Sequence, residues 1–156
     1  MSEEKNMIRA QEVYKVLCKT LDAREWEYEK EEDKLLVHFQ VRGDDFPLRF
    51  VMVVDAERQL IRVLSHLPFD MSQDKRLEGA VASCVITNRL VDGGFDYDLS
   101  DGAVVFRLTQ SFRDSVIGEG LIEYLIDYTC AVTDEYNDKF FALNKGFLSM
   151  ADFLKM

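Results

Sequence analysis

Leu35-Leu36-Val37-His38-Phe39-Gln40-Val41-Arg42-Gly43-Asp44-Asp45-Phe46-Pro47-Leu48-Arg49-Phe50-Val51-Met52-Val53-Val54-Asp55 is the stretch that decides the fold. Leu35, Val37, Phe39 and Val41 alternate with Leu36, His38, Gln40 and Arg42, the period of a strand. Gly43-Asp44-Asp45 supplies residues that turn a chain. Leu48, Phe50, Met52 and Val54 then share one face of a second strand. A connection this short joins antiparallel neighbours.

The same period continues in both directions. Upstream, Trp26 and Tyr28 alternate with Glu25, Glu27 and Glu29, which reads as a half-exposed strand, and Glu31-Glu32-Asp33-Lys34 is a polar turn. Downstream, Asp55-Ala56-Glu57-Arg58 is the next connection, and Leu60 to His66 forms a fourth strand. The four strands read as an antiparallel meander. Opposite the Leu48 face stand Val51 and Val53, and in the fourth strand Ile61 and Val63 stand opposite Leu60, Arg62 and Leu64. An antiparallel sheet covered on one side shows polar residues on the other. Apolar side chains on both faces mean that either helices cover both or one face meets another chain.

Helical periods flank the meander. Met7, Ala10, Tyr14, Leu17 and Leu21 fall on one helical face, widened by Val13 and Val16, after a start at Ser2-Glu3-Glu4. Leu67-Pro68-Phe69-Asp70 is expected to break the sheet, and Ser72 to cap a second helix. That helix would bury Leu77, Ala80, Val81, Cys84 and Val85 and end at Asp92-Gly93-Gly94. Phe95, Tyr97 and Leu99, the turn Ser100-Asp101-Gly102, and Val104, Phe106 and Leu108 make a hairpin. Ile117, Leu121, Tyr124, Leu125, Tyr128, Val132 and Tyr136 mark a long closing helix that stops at Gly146. Ser149 caps a last short turn. The expected fold class is α+β in the order α-β-β-β-β-α-β-β-α, as a single domain over residues 1–156, with helices mainly on one face of an antiparallel sheet.

The chain carries a formal charge of −10. Nucleic acid needs clustered Lys and Arg, and anionic membranes attract basic segments, so neither is an expected partner. Cys18, Cys84 and Cys130 are scattered on predicted helices, which suits reduced thiols in the cytoplasm. Residues 1–6 have no apolar core of a signal peptide, and no apolar run reaches the roughly 18 residues of a membrane span.

Sites for chemistry are sparse. The two histidines, His38 and His66, lie on or beside strands without metal-ligand spacing. A calcium loop beginning at Asp96 fails, because Asp101 occupies the position of the required Gly and Arg107 that of the required Glu. No phosphate-binding or nucleophile-elbow motif occurs, and Gly118-Glu119-Gly120 sets a carboxylate where phosphate would sit. The expectation is a chain with no enzyme activity, no cofactor and no metal.

Leu64-Ser65-His66-Leu67-Pro68-Phe69, then Gly94-Phe95-Asp96-Tyr97-Asp98-Leu99-Ser100-Asp101-Gly102, then Glu135-Tyr136-Asn137-Asp138-Lys139-Phe140 resembles the YbjN-like family. The likeness runs from about Met7 to Phe153. That family is similar in fold to the class I chaperones of type III secretion, small acidic α+β proteins that are usually dimeric. The resemblance implies a cytoplasmic protein-binding module, chaperone-like, that holds a segment of a partner protein. A signalling regulator binding a folded partner through its acidic surface is the alternative. The expected contact residues are Val51, Val53, Ile61 and Val63 on the spare sheet face. Ile86 and Val91, off the main stripe of the second helix, would meet their twins in a homodimer.

Overall fold

The computed structural model describes residues 2–156. Helix α1 spans Glu3–Ala23, followed by strands β1 Glu29–Glu31, β2 Leu36–Arg42, β3 Pro47–Asp55 and β4 Leu60–Asp70. Helix α2 spans Arg76–Arg89, strands β5 and β6 span Gly94–Tyr97 and Ala103–Ser111, and α3 and α4 span Glu119–Lys145 and Met150–Lys155. The expected order holds, with α4 added at the end.

The strands form one antiparallel sheet ordered β1-β2-β3-β4-β6-β5. The first four follow as a meander. Helix α2 then carries the chain past β4 so that β5 lands on the outer edge, and the β5–β6 hairpin returns β6 beside β4. Alternation selects the buried face. Val37, Met52, Ile61, Val63 and Phe106 are all at 0% exposure on it. Met52 pairs with Val63, Val54 with Ile61, and Val63 with Leu108. Helices α1 and α3 pack on this face. Helix α1 contributes Ala10, Val13, Tyr14, Leu17 and Leu21, and α3 contributes Ile122, Leu125, Ile126, Val132, Phe140 and Leu143. Met7, expected on the α1 stripe, is 43% exposed.

Both helix-end readings hold. The Ser2 hydroxyl accepts from the Lys5 N–H, and Ser149 accepts from Asp152. Gly146 ends α3 at φ +76°, the left-handed conformation that glycine adopts without penalty.

Four readings need correction. Trp26–Tyr28 lies outside the ladder, and β1 begins only at Glu29. Trp26 packs on Phe39 at 5.7 Å, and the Tyr28 hydroxyl donates to Asp22 at 2.7 Å, so this segment is held against α1. Second, Leu67–Asp70 continues β4 instead of breaking it. The register slips between His66 and Asp70, which accommodates Pro68, a residue with no N–H to give a ladder.

Third, α2 is rotated relative to the expected stripe. It buries Gly79, Ala82, Ser83 and Ile86 and exposes Leu77, Val81 and Cys84. Close approach to β5 explains the rotation. A Cβ at Gly79 would lie 2.8 Å from both the Tyr97 ring and Met71 Cγ, so the small residues must face inward. Ser72, expected to cap this helix, instead precedes a single 3-10 turn at Gln73–Lys75. Fourth, Ile61 and Val63 point into the core and not to the spare face, because β4 pairs them with Val54 and Met52.

The Ser100-Asp101-Gly102 turn is locked to the start of the α2 region. Met71 N–H donates to the Gly102 carbonyl at 2.8 Å, and Gly102 N–H donates to Asp98 at 2.7 Å. Gly102 has φ +78°, and a Cβ there would collide with the Met71 carbonyl oxygen. Both backbone conformation and space exclude a side chain. Gly102→Ala is expected to cost about 2–4 kcal/mol, lowering the melting temperature by roughly 10 °C in a thermal scan.

Candidate functional site

Among the described residues, no helix covers the opposite face of the sheet. Leu36, Val51, Val53, Leu60, Leu64 and Val105 project from it and stay half-exposed. Register brings them together. Leu36 faces Val53, Val53 faces Arg62, Val51 faces Leu64, and Leu64 faces Arg107. The result is an apolar strip across four strands, interrupted by arginines.

Those arginines are neutralised within the face. Arg107 Nε lies 3.1 Å from Asp96 Oδ2, on the adjoining strand β5. Arg62 Nη2 lies 3.4 Å and Arg58 Nη1 3.1 Å from Asp55 Oδ2. Burial pushes the Asp55 carboxyl up, but the Arg58 N–H, its guanidinium and Arg62 outweigh it and hold the pKa below the usual carboxylate value. With its charges paired, the strip offers apolar contact more than ionic attraction.

At one end the strip meets an open sheet edge. Strand β1 pairs with β2 only as far as His38. Among the described residues, no backbone partner continues the ladder along Gln40 to Arg42. A shallow depression of about 840 Å³ lies there, bordered by Trp26, Glu27, Glu29, His38, Gln40 and Arg49. At the opposite edge α2 packs beside β5, and the Phe95 N–H donates to Thr87 Oγ1 of that helix at 2.8 Å.

Of the residues expected at a contact, Val51 and Val53 lie on the strip. Ile61, Val63 and Ile86 are 0%, 0% and 2% exposed, so they have no surface to offer. Ile86 turns inward because α2 buries its small-residue side. Val91 is 96% exposed, beyond the end of α2. Its loop is clamped by stacked Tyr124 and Tyr128, whose hydroxyls donate to Asp92 Oδ2 at 2.9 Å and the Asp92 carbonyl at 3.0 Å. The sequence reading missed Leu36, Leu60, Leu64 and Val105, and missed Leu77 and Val81 on the outer side of α2. Arg62 was the usable signal, because a strand face bearing an arginine belongs outside.

The remaining reactive groups are dispersed. His38 and His66 are exposed on the open face. Among the described residues, no group of three or more His, Cys, Asp or Glu is placed to hold a metal ion. Burial pushes the Cys130 thiol up to about 11, which removes its nucleophilic character near neutral pH. No described helix is long and apolar enough to cross a membrane.

No protein-family model and no curated protein matches the chain. Solved structures do. A chain of the HopA1–SchA chaperone–effector complex superposes with a TM-score of 0.58 and 10% identity, over 84% of this chain and 97% of that one. YbjN from E. coli, described as a candidate transcription regulator, superposes with a TM-score of 0.55 and 12% identity, over 81% and 92%. The chain has the fold of YbjN and of a chain of that chaperone–effector complex. Identities this low establish the fold and leave the activity open. The YbjN-like fold accounts for the sheet order and the helices on one face.

Asp55 gives a pH test of the strip's charge pairing. Its folded pKa is depressed, so the stability it contributes is present above the unfolded carboxylate pKa and is lost as pH falls through the folded value. Asp55→Asn is expected to cost about 1–2 kcal/mol at neutral pH in urea unfolding. The gap from the parent should close as the pH is lowered through the acid range.

Proposed function

We propose that the chain is a non-enzymatic, chaperone-like protein-binding module that acts in the cytoplasm and holds a segment of a partner protein. The observation that carries this reading is the half-exposed apolar strip of Leu36, Val51, Val53, Leu60, Leu64 and Val105 on a sheet face without helices. Water touches these side chains in the monomer, and covering each contributes roughly 1 kcal/mol. The open edge at Gln40–Arg42 adds a second mode, in which an extended segment pairs as a further strand. The likeness to a chain of a chaperone–effector complex supports the same reading.

A homodimer is part of the proposal. Leu77, Val81 and Cys84 lie at helical spacing on the outer side of α2, with Leu77 at 76% and Val81 at 47% exposure. An antiparallel pairing of α2 with its twin would cover both copies of this stripe symmetrically. Val91, just past the helix, would lie at the margin of such a contact.

A regulator that binds a folded partner through its acidic surface is the second reading. It draws on the charge of −10 and on the likeness to YbjN. Salt separates the two, since raising ionic strength weakens a charge-steered contact and spares an apolar one.

Val53→Asp is expected to abolish partner binding while the variant melts within a few degrees of the parent. Native mass spectrometry of the tagged protein from its own cells would show a stoichiometric second polypeptide for the parent and none for the variant. Equal recovery of the polypeptide with both would sink the strip as the contact. For the dimer, a short bismaleimide is expected to link Cys84 to its twin, with the linked species lost in Leu77→Asp. A monomeric mass at micromolar concentration would end the dimer proposal.

A further inference from the structure

A second surface feature lies at the end of the sheet, on the helical side. Phe46 in the β2–β3 turn, Phe69 near the end of β4 and Phe141 late in α3 form a triangle of rings. Their centroids are 5.3 Å apart for Phe46–Phe141, 5.5 Å for Phe69–Phe141 and 5.8 Å for Phe46–Phe69. All three stay partly exposed. Of the three, only Phe69 packs against the main core. Phe46 and Phe141 therefore form an aromatic satellite that the fold does not need for its interior.

Carboxylates flank this satellite. Asp44 and Asp45 directly precede Phe46, while Asp134 and Asp138 lie two turns and one turn before Phe141 on the same side of α3. The two sets meet, for the Asp44 N–H donates to Asp134 Oδ1 at 2.8 Å. Gly43 permits this approach, because a Cβ there would lie 2.8 Å from that same oxygen and collide with the Phe46 carbonyl. Asp134 also raises the Asp44 pKa through like-charge repulsion. None of the four carboxylates forms an ion pair among the described residues. The cations nearest in the chain leave them unpaired too. Arg42 is exposed at the end of β2, Lys139 Nζ donates to the Glu135 carbonyl at 2.8 Å over the Tyr136 ring, and Lys145 Nζ sits 5.7 Å over the Phe141 ring. That ammonium shows that the ring face accepts a cation.

We propose that the Phe46–Phe69–Phe141 surface docks a basic segment of a protein partner, seating an arginine or lysine side chain on the rings beside Asp44 and Asp134. Charge complementarity selects this occupant. A second copy would bring four like carboxylates against these four. A metal ion is not matched either, because no three acidic groups here converge as ligands. The surface is separate from the open sheet face, so either contact can fail without the other.

The test is a titration of the isotope-labelled full chain with two nine-residue peptides, followed by amide NMR shifts. One peptide alternates arginine with leucine, and the other alternates glutamate with leucine. The arginine peptide is expected to shift Gly43–Phe46, Phe69 and the 134–141 stretch, and the glutamate peptide none of them. Phe141→Ala is expected to weaken binding roughly threefold, the size of an exposed cation–π contact. Asp45→Asn, an exposed change with no effect on packing, is expected to weaken it by a similar factor and decides the matter if Phe141→Ala does not fold. Shifts spread over the whole acidic surface or centred on Val51 and Val53 would overturn the proposal. So would unchanged affinity in the folded variants, or calcium chloride alone reproducing the shifts.

Discussion

Pairing of Met52 with Val63, and of Val54 with Ile61, is the constraint on which the rest of the molecule rests. A strand has only two faces, and a shift of one residue would exchange them completely. Once these four side chains face inward, α1 and α3 have a surface to cover, and Val51, Val53, Leu60 and Leu64 are committed outward. The apolar strip is thus a result of the same register that builds the core. Its six half-exposed side chains reflect a sequence that kept apolar residues on both faces while helices cover only one.

The class, element order and most turns were legible because each rests on local chemistry. Gly102 and Gly146 take positive φ where the sequence placed a turn and a helix stop, and Ser2 and Ser149 cap the helices they precede. Readings failed where distance in sequence mattered. The direction of Ile61 depends on its partner in β3, and with apolar residues at successive positions of β4, Arg62 alone marks the outer face. The stripe on α2 was inverted because hydrophobicity normally marks the buried side of a helix. Here the demand for close packing against Tyr97 and Met71 outweighed it and turned Gly79 and Ala82 inward.

This inversion bears on function. A helix that hides its small residues and displays Leu77 and Val81 has been placed by packing, and its outer apolar side is left to solvent. The clamp of Tyr124 and Tyr128 on Asp92 likewise fixes the loop that presents Val91. Apolar groups held rigidly at a surface lose little conformational freedom when a partner arrives, so more of the contact energy appears as affinity.

The short outer strand has another consequence. Glu29, Lys30 and Glu31 are all that β1 offers beyond β2, with Glu25 and Glu27 just ahead of them. Exposed sheet edges invite identical chains to stack into fibrils. Two copies approaching through this edge would bring their glutamates face to face, and the repulsion would grow with each added copy. A foreign segment without such charges meets no comparable barrier. The acidic border therefore sets a charge barrier to self-polymerisation along this open edge.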